Sequence, residues 1–320
     1  MLIIPEALIA DLLSPQDAFD AVEACFKAMA TAQAYNFPVV REALGEGRQY
    51  GFKSGLDRLG GQLGVKAGGY FPGNAARGMI NHQSSIFLFD PETGRPQAMV
   101  GGNLLTALRT AAASALSIDR LARRDARVLG MVGAGHQAGF QLRAAARVRQ
   151  FEKVVAWNLH PEMLTNLAAI AADLGLPFQA VTLEQLGAEA DVIITITSAP
   201  AASVLNAHVR AGTHLACMGT DTKGKQEVEA SLLARAAVFT DEVAQSVTIG
   251  EAQHAVAAGL LQPQAITTLG DVLIGRHAGR PSENAVTLFD GTGVALQDLA
   301  VAAKVVERAR AMGLGYEVAV

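Results

Sequence analysis

The apolar run Val128-Leu-Gly-Met-Val132 ends in Gly133-Ala-Gly135-His136-Gln137-Ala138 and passes at once into an alanine-rich segment, Phe140 to Arg147. A strand that turns through two glycines directly into a helix leaves few architectures open. It is the start of a βαβ unit, in which parallel strands are joined by a crossover helix. Gly133 permits the tight turn, Gly135 lets the backbone approach an anion, and Ala138 keeps helix and strand close. The amides that open the helix then face a phosphate. A GxGxxA string alone is a weak signal. Strand before, helix after and a second strand following make it a dinucleotide-binding turn, with Gly133, Gly135, His136, Gln137 and Ala138 as cofactor-binding candidates.

Composition narrows the rest. The chain has 320 residues, more than most single cores hold, so one large or two smaller domains are expected. Half the residues are hydrophobic and only 5% aromatic, which favours an α/β protein packed with Ala, Val, Leu and Ile. The net charge of −4 comes from 26 basic and 30 acidic residues spread along the chain, a pattern with no nucleic-acid or anionic-membrane footprint. Cys25 and Cys217 are the only cysteines, and neither lies near a His pair; two buried small side chains, not a disulfide or metal site, are expected. The N-terminus lacks a basic segment and acquires Glu6 and Asp11 early, the pattern of a cytoplasmic protein without a signal peptide.

Residues Pro15 to Ala34 show helical spacing, with Ser14 as N-cap and Pro15 at the first position. From Phe37 to Phe89 short β-like runs, Gly64 to Ala67 and Ser85 to Phe89, alternate with Gly, Asn and Pro, suggesting a small loop-rich β domain. A turn over Pro91 to Pro96 leads to a strand at Gln97 to Val100 and a helix from about Leu104 to Leu121. Strands at Lys153–Trp157, Asp191–Thr197, His214–Met218 and Ala236–Thr240 then alternate with helices, which implies a doubly wound sheet. A last helix, Val294 to Met312, returns to the N-terminal part. The expected division is a discontinuous domain, residues 1–116 with 302–320, and a Rossmann domain, residues 117–301.

Several polar residues stand where chemistry could occur. Lys66 interrupts the apolar strand Leu63-Gly-Val-Lys-Ala67; a buried unpaired ammonium is costly, so it meets an anion unless the strand is an edge with the lysine in solvent. Arg109 opens the run Arg109-Thr110-Ala-Ala-Ala-Ser-Ala115, whose lack of bulk implies close packing or close approach of a ligand; an ordinary helix salt bridge is the alternative for the arginine. Asp221 lies in Gly219-Thr-Asp-Thr-Lys223-Gly-Lys-Gln-Glu227, a loop after a parallel strand, where ligands of open α/β sheets bind; a solvated polar loop is the alternative. His82 is a candidate acid or base, and His136 a turn-filling residue.

With these residues in place the chain resembles the ornithine cyclodeaminase and mu-crystallin family, which also includes alanine dehydrogenases and imine reductases. The resemblance rests on Phe37-Pro-Val-Val-Arg41, Val65-Lys-Ala67 with Pro72-Gly-Asn74, Asn81-His-Gln83, Gly102-Asn103, Leu108-Arg-Thr-Ala-Ala112, the glycine turn, Asp191-Val-Ile-Ile-Thr195, Gly219 to Lys225 and Phe289-Asp-Gly-Thr-Gly-Val-Ala-Leu296. It implies a homodimer with a Rossmann domain inserted into a substrate domain. It further implies that Arg41, Lys66 and Arg109 hold the α-carboxylate of an amino or imino acid, that Asp221 meets substrate nitrogen or water, and that Thr110, Thr195, Thr197, Met218 and Gly219 border the nicotinamide cofactor. No metal is needed, since the nicotinamide carries the redox chemistry.

Departures from the family pattern point to the substrate. Ornithine-specific members place an acid near the position of Phe52-Lys53, where this chain has none, and Lys223 replaces the proline of the usual Asp-x-Pro-Gly-Lys loop. Both changes favour a distal carboxylate over a distal amine, with Lys53, Arg48 or Lys223 as its partner. The expected reaction is NAD(P)H-dependent reduction of a 2-imino acid, with iminosuccinate to aspartate as the specific case. Ornithine cyclodeamination and an alanine dehydrogenase-like activity are the alternatives within the family, and a non-catalytic carrier of NADPH the alternative outside catalysis. Asn158-Leu-His160 follows the second strand; Asn158 can bind a ribose hydroxyl and no Arg follows it, so NAD(H) is expected over NADP(H).

Overall fold

A computed structural model describes all 320 residues. The chain divides into two compact units, residues 1–109 with 294–320 and residues 110–293. The divisions therefore lie at 109/110 and 293/294, earlier than the expected 116/117 and 301/302. The later expected boundary would cut the helix Ala295–Met312, which runs unbroken to a left-handed cap at Gly313.

The first unit holds strands β1 (Leu2–Ile4), β2 (Ala34–Asn36), β3 (Val40–Gly45), β4 (Arg48–Asp57), β5 (Gln62–Tyr70), β6 (His82–Phe89) and β7 (Pro96–Gly101). Their order across the sheet is the C-terminal strand Tyr316–Glu317, β1, β7, β6, β5, β4, β2, with β3 beside β4. The helix Pro15–Ala30 starts in a reciprocal cap, Ser14 Oγ accepting from Asp17 N and the Asp17 carboxylate from Ser14 N. It stops at Ala30, short of the expected Ala34, because Ala32 adopts φ +57° and Ala34 opens β2.

The strands of this unit are longer than their sequence suggests: β5 spans nine residues and β6 eight. Alternation on β5 is masked because one face carries Leu63, Val65 and Ala67 while the other carries Gly64, Lys66 and Gly68. The glycine face seats the C-terminal helix. A Cβ at Gly64 would come within 2.7 Å of the Leu299 side chain. The opposite face is apolar and open: Val40, Tyr50 and Phe52 stand about 40% exposed, with the Tyr50 and Phe52 rings 5.6 Å apart.

The second unit holds β8 (Val128–Val132), β9 (Lys153–Trp157), β10 (Phe178–Ala180), β11 (Val192–Thr195), β12 (His214–Cys217), β13 (Ala237–Thr240), β14 (Thr267–Thr268) and β15 (Thr287–Asp290). All pair parallel, in the order β10-β9-β8-β11-β12-β15-β13-β14. The order reverses at β8, which makes this a doubly wound Rossmann-type sheet. Its core is aliphatic, with Val155, Ile193, Leu215 and Leu288 fully buried. The sequence reading places no strand at β15, although it lies centrally between β12 and β13; four residues before a glycine-rich turn are too short to declare a period. The fold is thus α/β, an all-parallel unit and a mixed-sheet unit. No helix is long and apolar enough to cross a membrane.

Candidate active site

Pairing of β4 with β5 sets Lys53 directly opposite Lys66, on the face that carries the C-terminal helix. Both are more than 90% buried. Since β5 lies between β4 and β6, the reading of Lys66 as an edge residue in solvent does not hold. Arg41 on β3 pairs with Gly51, two residues from Lys53 and on the same face. Arg109 arrives on the helix Asn103–Leu121. Like charges placed directly opposite on a sheet repel, and burial removes the water that would screen them. Asp298, fully buried at the start of the C-terminal helix, answers them. Its Oδ2 lies 2.9 Å from Lys66 Nζ and its Oδ1 3.0 Å from Arg109 Nε, while Gln297 Oε1 accepts from Arg109 Nη1 at 3.2 Å.

Burial, with Arg109 and Arg41 adding to it against the pull of Asp298, pushes the Lys66 ammonium down to about 8. Burial would raise the Asp298 carboxyl, yet Arg109 and Lys66, with Lys53 behind them, hold it below the usual carboxylate range. Sequence reasoning missed Gln297 and Asp298. The available signal was a polar pair inside the run Val294-Ala-Leu-Gln-Asp-Leu-Ala300, which on a buried helix demands partners. The alanine run after Arg109 is buried throughout, consistent with the close packing its lack of bulk implied.

Two expected residues are not brought to this cluster. Arg48 sits in the β3–β4 hairpin, its guanidinium donating to the Gly45 and Leu44 carbonyls and paired with Glu46. His82 pairs with Tyr70 at the start of β6, four residues from Ile86, the partner of Lys66, or roughly 13 Å along the strand.

In the second unit Gly133 adopts φ +107°, and a Cβ there would lie 2.7 Å from the Ile196 carbonyl oxygen. At Gly135 a Cβ would meet nothing within 4 Å, leaving open space before the helix Ala138–Val148. Open space at a helix N-terminus fits a pyrophosphate. Gln137 leads into that helix, and the exposed His136 stacks 5.6 Å from Phe140. Asn158, the expected ribose ligand, also braces the glycine turn: its Oδ1 accepts from Ala134 N at 3.0 Å and its Nδ2 donates to the His160 carbonyl at 2.8 Å. The His160 ring itself is exposed. Thr110 and Met218 are buried.

Beyond β11 and β12 the chain ends in a polar knot. Thr195 is fully buried and its hydroxyl donates to Glu227 at 2.7 Å, which turns its expected cofactor contact into a supporting one. Thr197 and Gly219 donate to the same carboxylate. Asp221, partly exposed, pairs with Lys225 at 3.1 Å, and Lys223 is exposed on the same loop. The loop is held by Gln253, which accepts from Gly224 N, and by His254, whose Nε2 donates to the Lys225 carbonyl. Glu227 and Glu251 escaped sequence reasoning. Glu227 closes the Gly219–Glu227 loop, where nothing local marks it out from a solvated acid, and Glu251 is distant in sequence.

A profile of the ornithine cyclodeaminase/mu-crystallin family matches residues 7–313. The iminosuccinate reductase of Paracoccus denitrificans (strain Pd 1222) is 61% identical over 319 residues, 99% of each chain. The crystal structure of the Paracoccus denitrificans iminosuccinate reductase in complex with NAD+ superimposes with a TM-score of 0.95 at 60% identity, over 100% of this chain and 99% of that one. An archaeal alanine dehydrogenase dimer with bound NAD superimposes with a TM-score of 0.94 at 32% identity, again over 100% and 99%.

Proposed function

The chain belongs to the ornithine cyclodeaminase/mu-crystallin family, and from that premise we propose that it uses NADH to reduce the imine of iminosuccinate to the amine of aspartate. The observation that carries the reading is the buried ammonium pair. Lys53 and Lys66 stand side by side on adjacent strands, Lys66 and Arg109 pair with the carboxylate of Asp298, and Arg41 adds its charge to that felt by Lys66. Neighbouring buried cations match the two carboxylates of a four-carbon diacid, where a neutral methyl would leave a desolvated charge facing it. The identity with the Paracoccus denitrificans iminosuccinate reductase supports the same substrate. A distal ammonium, as ornithine carries, would meet Lys53 as a like charge.

Arg41, Lys66 and Arg109 bind the α-carboxylate and fix the imine carbon; bidentate and charge-assisted contacts of this kind orient as well as attract. Lys53 takes the distal carboxylate; Lys223, exposed on the Asp221 loop, is kept as the other candidate for it. Asp221 holds the protonated imine nitrogen, which increases the electrophilicity of the carbon and leaves the nitrogen as an amine once its double bond is reduced. His82, distant from Lys66 along the sheet, is left out of proton handling. The glycine turn and the helix behind Ala138 hold the pyrophosphate, and the bound cofactor supplies the hydride. NAD(H) is favoured over NADP(H) because no arginine follows Asn158 to receive a 2′-phosphate, and because two relatives hold NAD. The open apolar face around Val40, Tyr50 and Phe52 supports a homodimer, as the archaeal relative forms.

The test is NADH oxidation with oxaloacetate plus ammonium, against pyruvate plus ammonium, and ammonia release from ornithine. Ammonium-dependent oxidation with oxaloacetate well above that with pyruvate is expected. Ammonia release from ornithine with oxaloacetate inert would overturn the reading.

A further inference from the structure

Glu227, at the end of the Asp221 loop, was assigned no role from the sequence and is almost wholly buried. Four donors converge on its carboxylate: Thr197 N at 2.6 Å and Thr197 Oγ1 at 2.8 Å on Oε1, Thr195 Oγ1 at 2.7 Å and Gly219 N at 2.7 Å on Oε2. Each carboxylate oxygen thus meets one backbone amide and one hydroxyl. Burial raises the Glu227 carboxyl above its ordinary range, while the bonds from Thr195, Thr197 and Gly219 pull it back. The donors come from two places in the chain, Thr195 and Thr197 at the carboxyl end of β11 and Gly219 just past β12. One side chain thus fastens two neighbouring strand ends together. The backbone that carries Glu227 is in turn held by Glu251, which accepts from Glu227 N at 2.9 Å and Val228 N at 2.8 Å and engages the Thr220 hydroxyl.

The position of this knot in the sheet gives it a meaning. A doubly wound sheet binds a dinucleotide across the carboxyl ends of its strands, one mononucleotide on each side of the switch. The glycine turn follows β8, with β9 and β10 on one side; β11 and β12 lie on the other. The first side takes the adenosine half and the second the nicotinamide half.

We propose that Glu227 is a positioning residue for the nicotinamide half of the cofactor site, setting the backbone at Thr197 and Gly219 through one shared carboxylate without touching the cofactor. The inference rests on the NADH-dependent reading above. A carboxylate suits the role because both its oxygens can accept from an amide and a hydroxyl at once, so the strand ends have little freedom to drift. A glutamine cannot reproduce it. Its amide nitrogen faces one hydroxyl, which can turn to accept, and one backbone N–H, which cannot, so that strand end must shift to relieve the clash.

The experiment compares the full-length protein with its Glu227→Gln variant by titration calorimetry, using NADH and, separately, ADP-ribose, which lacks the nicotinamide. Melting temperature and steady-state kinetics are measured alongside. The variant should bind NADH about tenfold to hundredfold more weakly, the scale of one or two lost hydrogen bonds, while ADP-ribose binding stays within about twofold. The KM for NADH should rise by a larger factor than kcat falls. Equal weakening of both ligands would make Glu227 a general structural pin and overturn the proposal, as would unchanged binding of both. Failure of the unmodified protein to bind NADH or ADP-ribose at all would overturn the NADH-dependent reading itself, and the inference with it. If Glu227→Gln does not fold, Glu227→Asp keeps the carboxyl group but is one methylene too short to reach both strand ends. It should show the same separation between the two ligands at smaller amplitude, and equal weakening would again overturn the proposal.

Discussion

In the first unit Lys66 and Arg109 pair with the carboxylate of Asp298, with Lys53 opposite Lys66; in the second, Glu227, Glu251 and Asp290 are held chiefly by hydroxyls and backbone amides. The acids respond in opposite ways. Despite burial Asp298 is held below the ordinary range by Arg109 and Lys66, whereas burial pushes Glu251 up to about 8 and Asp290 to about 7. Hydroxyl and amide dipoles satisfy a carboxylate while adding no net charge, so the acidic knot is suited to fixing backbone. Cations clustered near one acid suit an anionic ligand, which is the role proposed for them above.

The comparison breaks most severely at Asp298. Asp298→Asn removes the countercharge of two buried cations while keeping the side chain's shape, and unpairing a buried ion pair costs about 3–5 kcal/mol. Chemical denaturation should register a loss of that size, together with loss of activity. A loss below about 1 kcal/mol, the scale of an exposed pair, would mean that Lys66 and Arg109 do not depend on Asp298.

Lys53→Met tests the role proposed for these cations. The volume is kept and one charge removed, so kcat/KM with oxaloacetate plus ammonium should fall about tenfold to hundredfold, the scale of one charge-assisted contact. The residual rate with pyruvate plus ammonium should hold or rise. Equal losses with both substrates would assign Lys53 to general packing rather than to the distal carboxylate.

The acidic knot is sharpened by pH. Glu251 and Asp290 titrate higher in the folded chain than unfolded, so the native state keeps protons that the unfolded state releases from about pH 4 upward. Their contribution is complete below the ordinary carboxylate range and is lost as pH rises through about 7 and 8. Glu251→Gln resembles the protonated acid at every pH. Its melting temperature should decline less steeply than that of the unmodified protein between about pH 5 and 8. Parallel slopes would show that Glu251 does not carry this part of the titration.

The same contrast explains what could be read from the sequence. Gly133 to Ala138 announced the parallel unit because a dinucleotide turn is local, a strand, two glycines and a helix in one stretch. Lys66 was legible because a charge inside an apolar run is an anomaly at any register. Its neighbour Lys53 was legible as a charge, though its place opposite Lys66 was not, since pairing depends on β4 meeting β5. Asp298 and Glu227 were invisible for a related reason: each is an ordinary acid until a distant segment delivers donors to it, across 189 residues from Arg109 to Asp298 and 32 from Thr195 to Glu227. Asn158 was found for its place after β9, and its amide also serves the backbone of the turn.

That last residue gives the smallest expected effect. In Asn158→Asp the oxygen that accepts from Ala134 N is retained, and the donor to the His160 carbonyl is lost, leaving a carboxylate oxygen beside that carbonyl. The turn should survive, because its bond to Ala134 becomes charge-assisted. The new charge lies after the second strand, where an acid favours a free ribose hydroxyl and repels a 2′-phosphate. The ratio of kcat/KM for NADH over NADPH should therefore rise by a few-fold, within the roughly 1 kcal/mol of a partly screened charge. A variant that loses NADH use while keeping NADPH use would place the ribose elsewhere and make Asn158 a brace of the glycine turn alone.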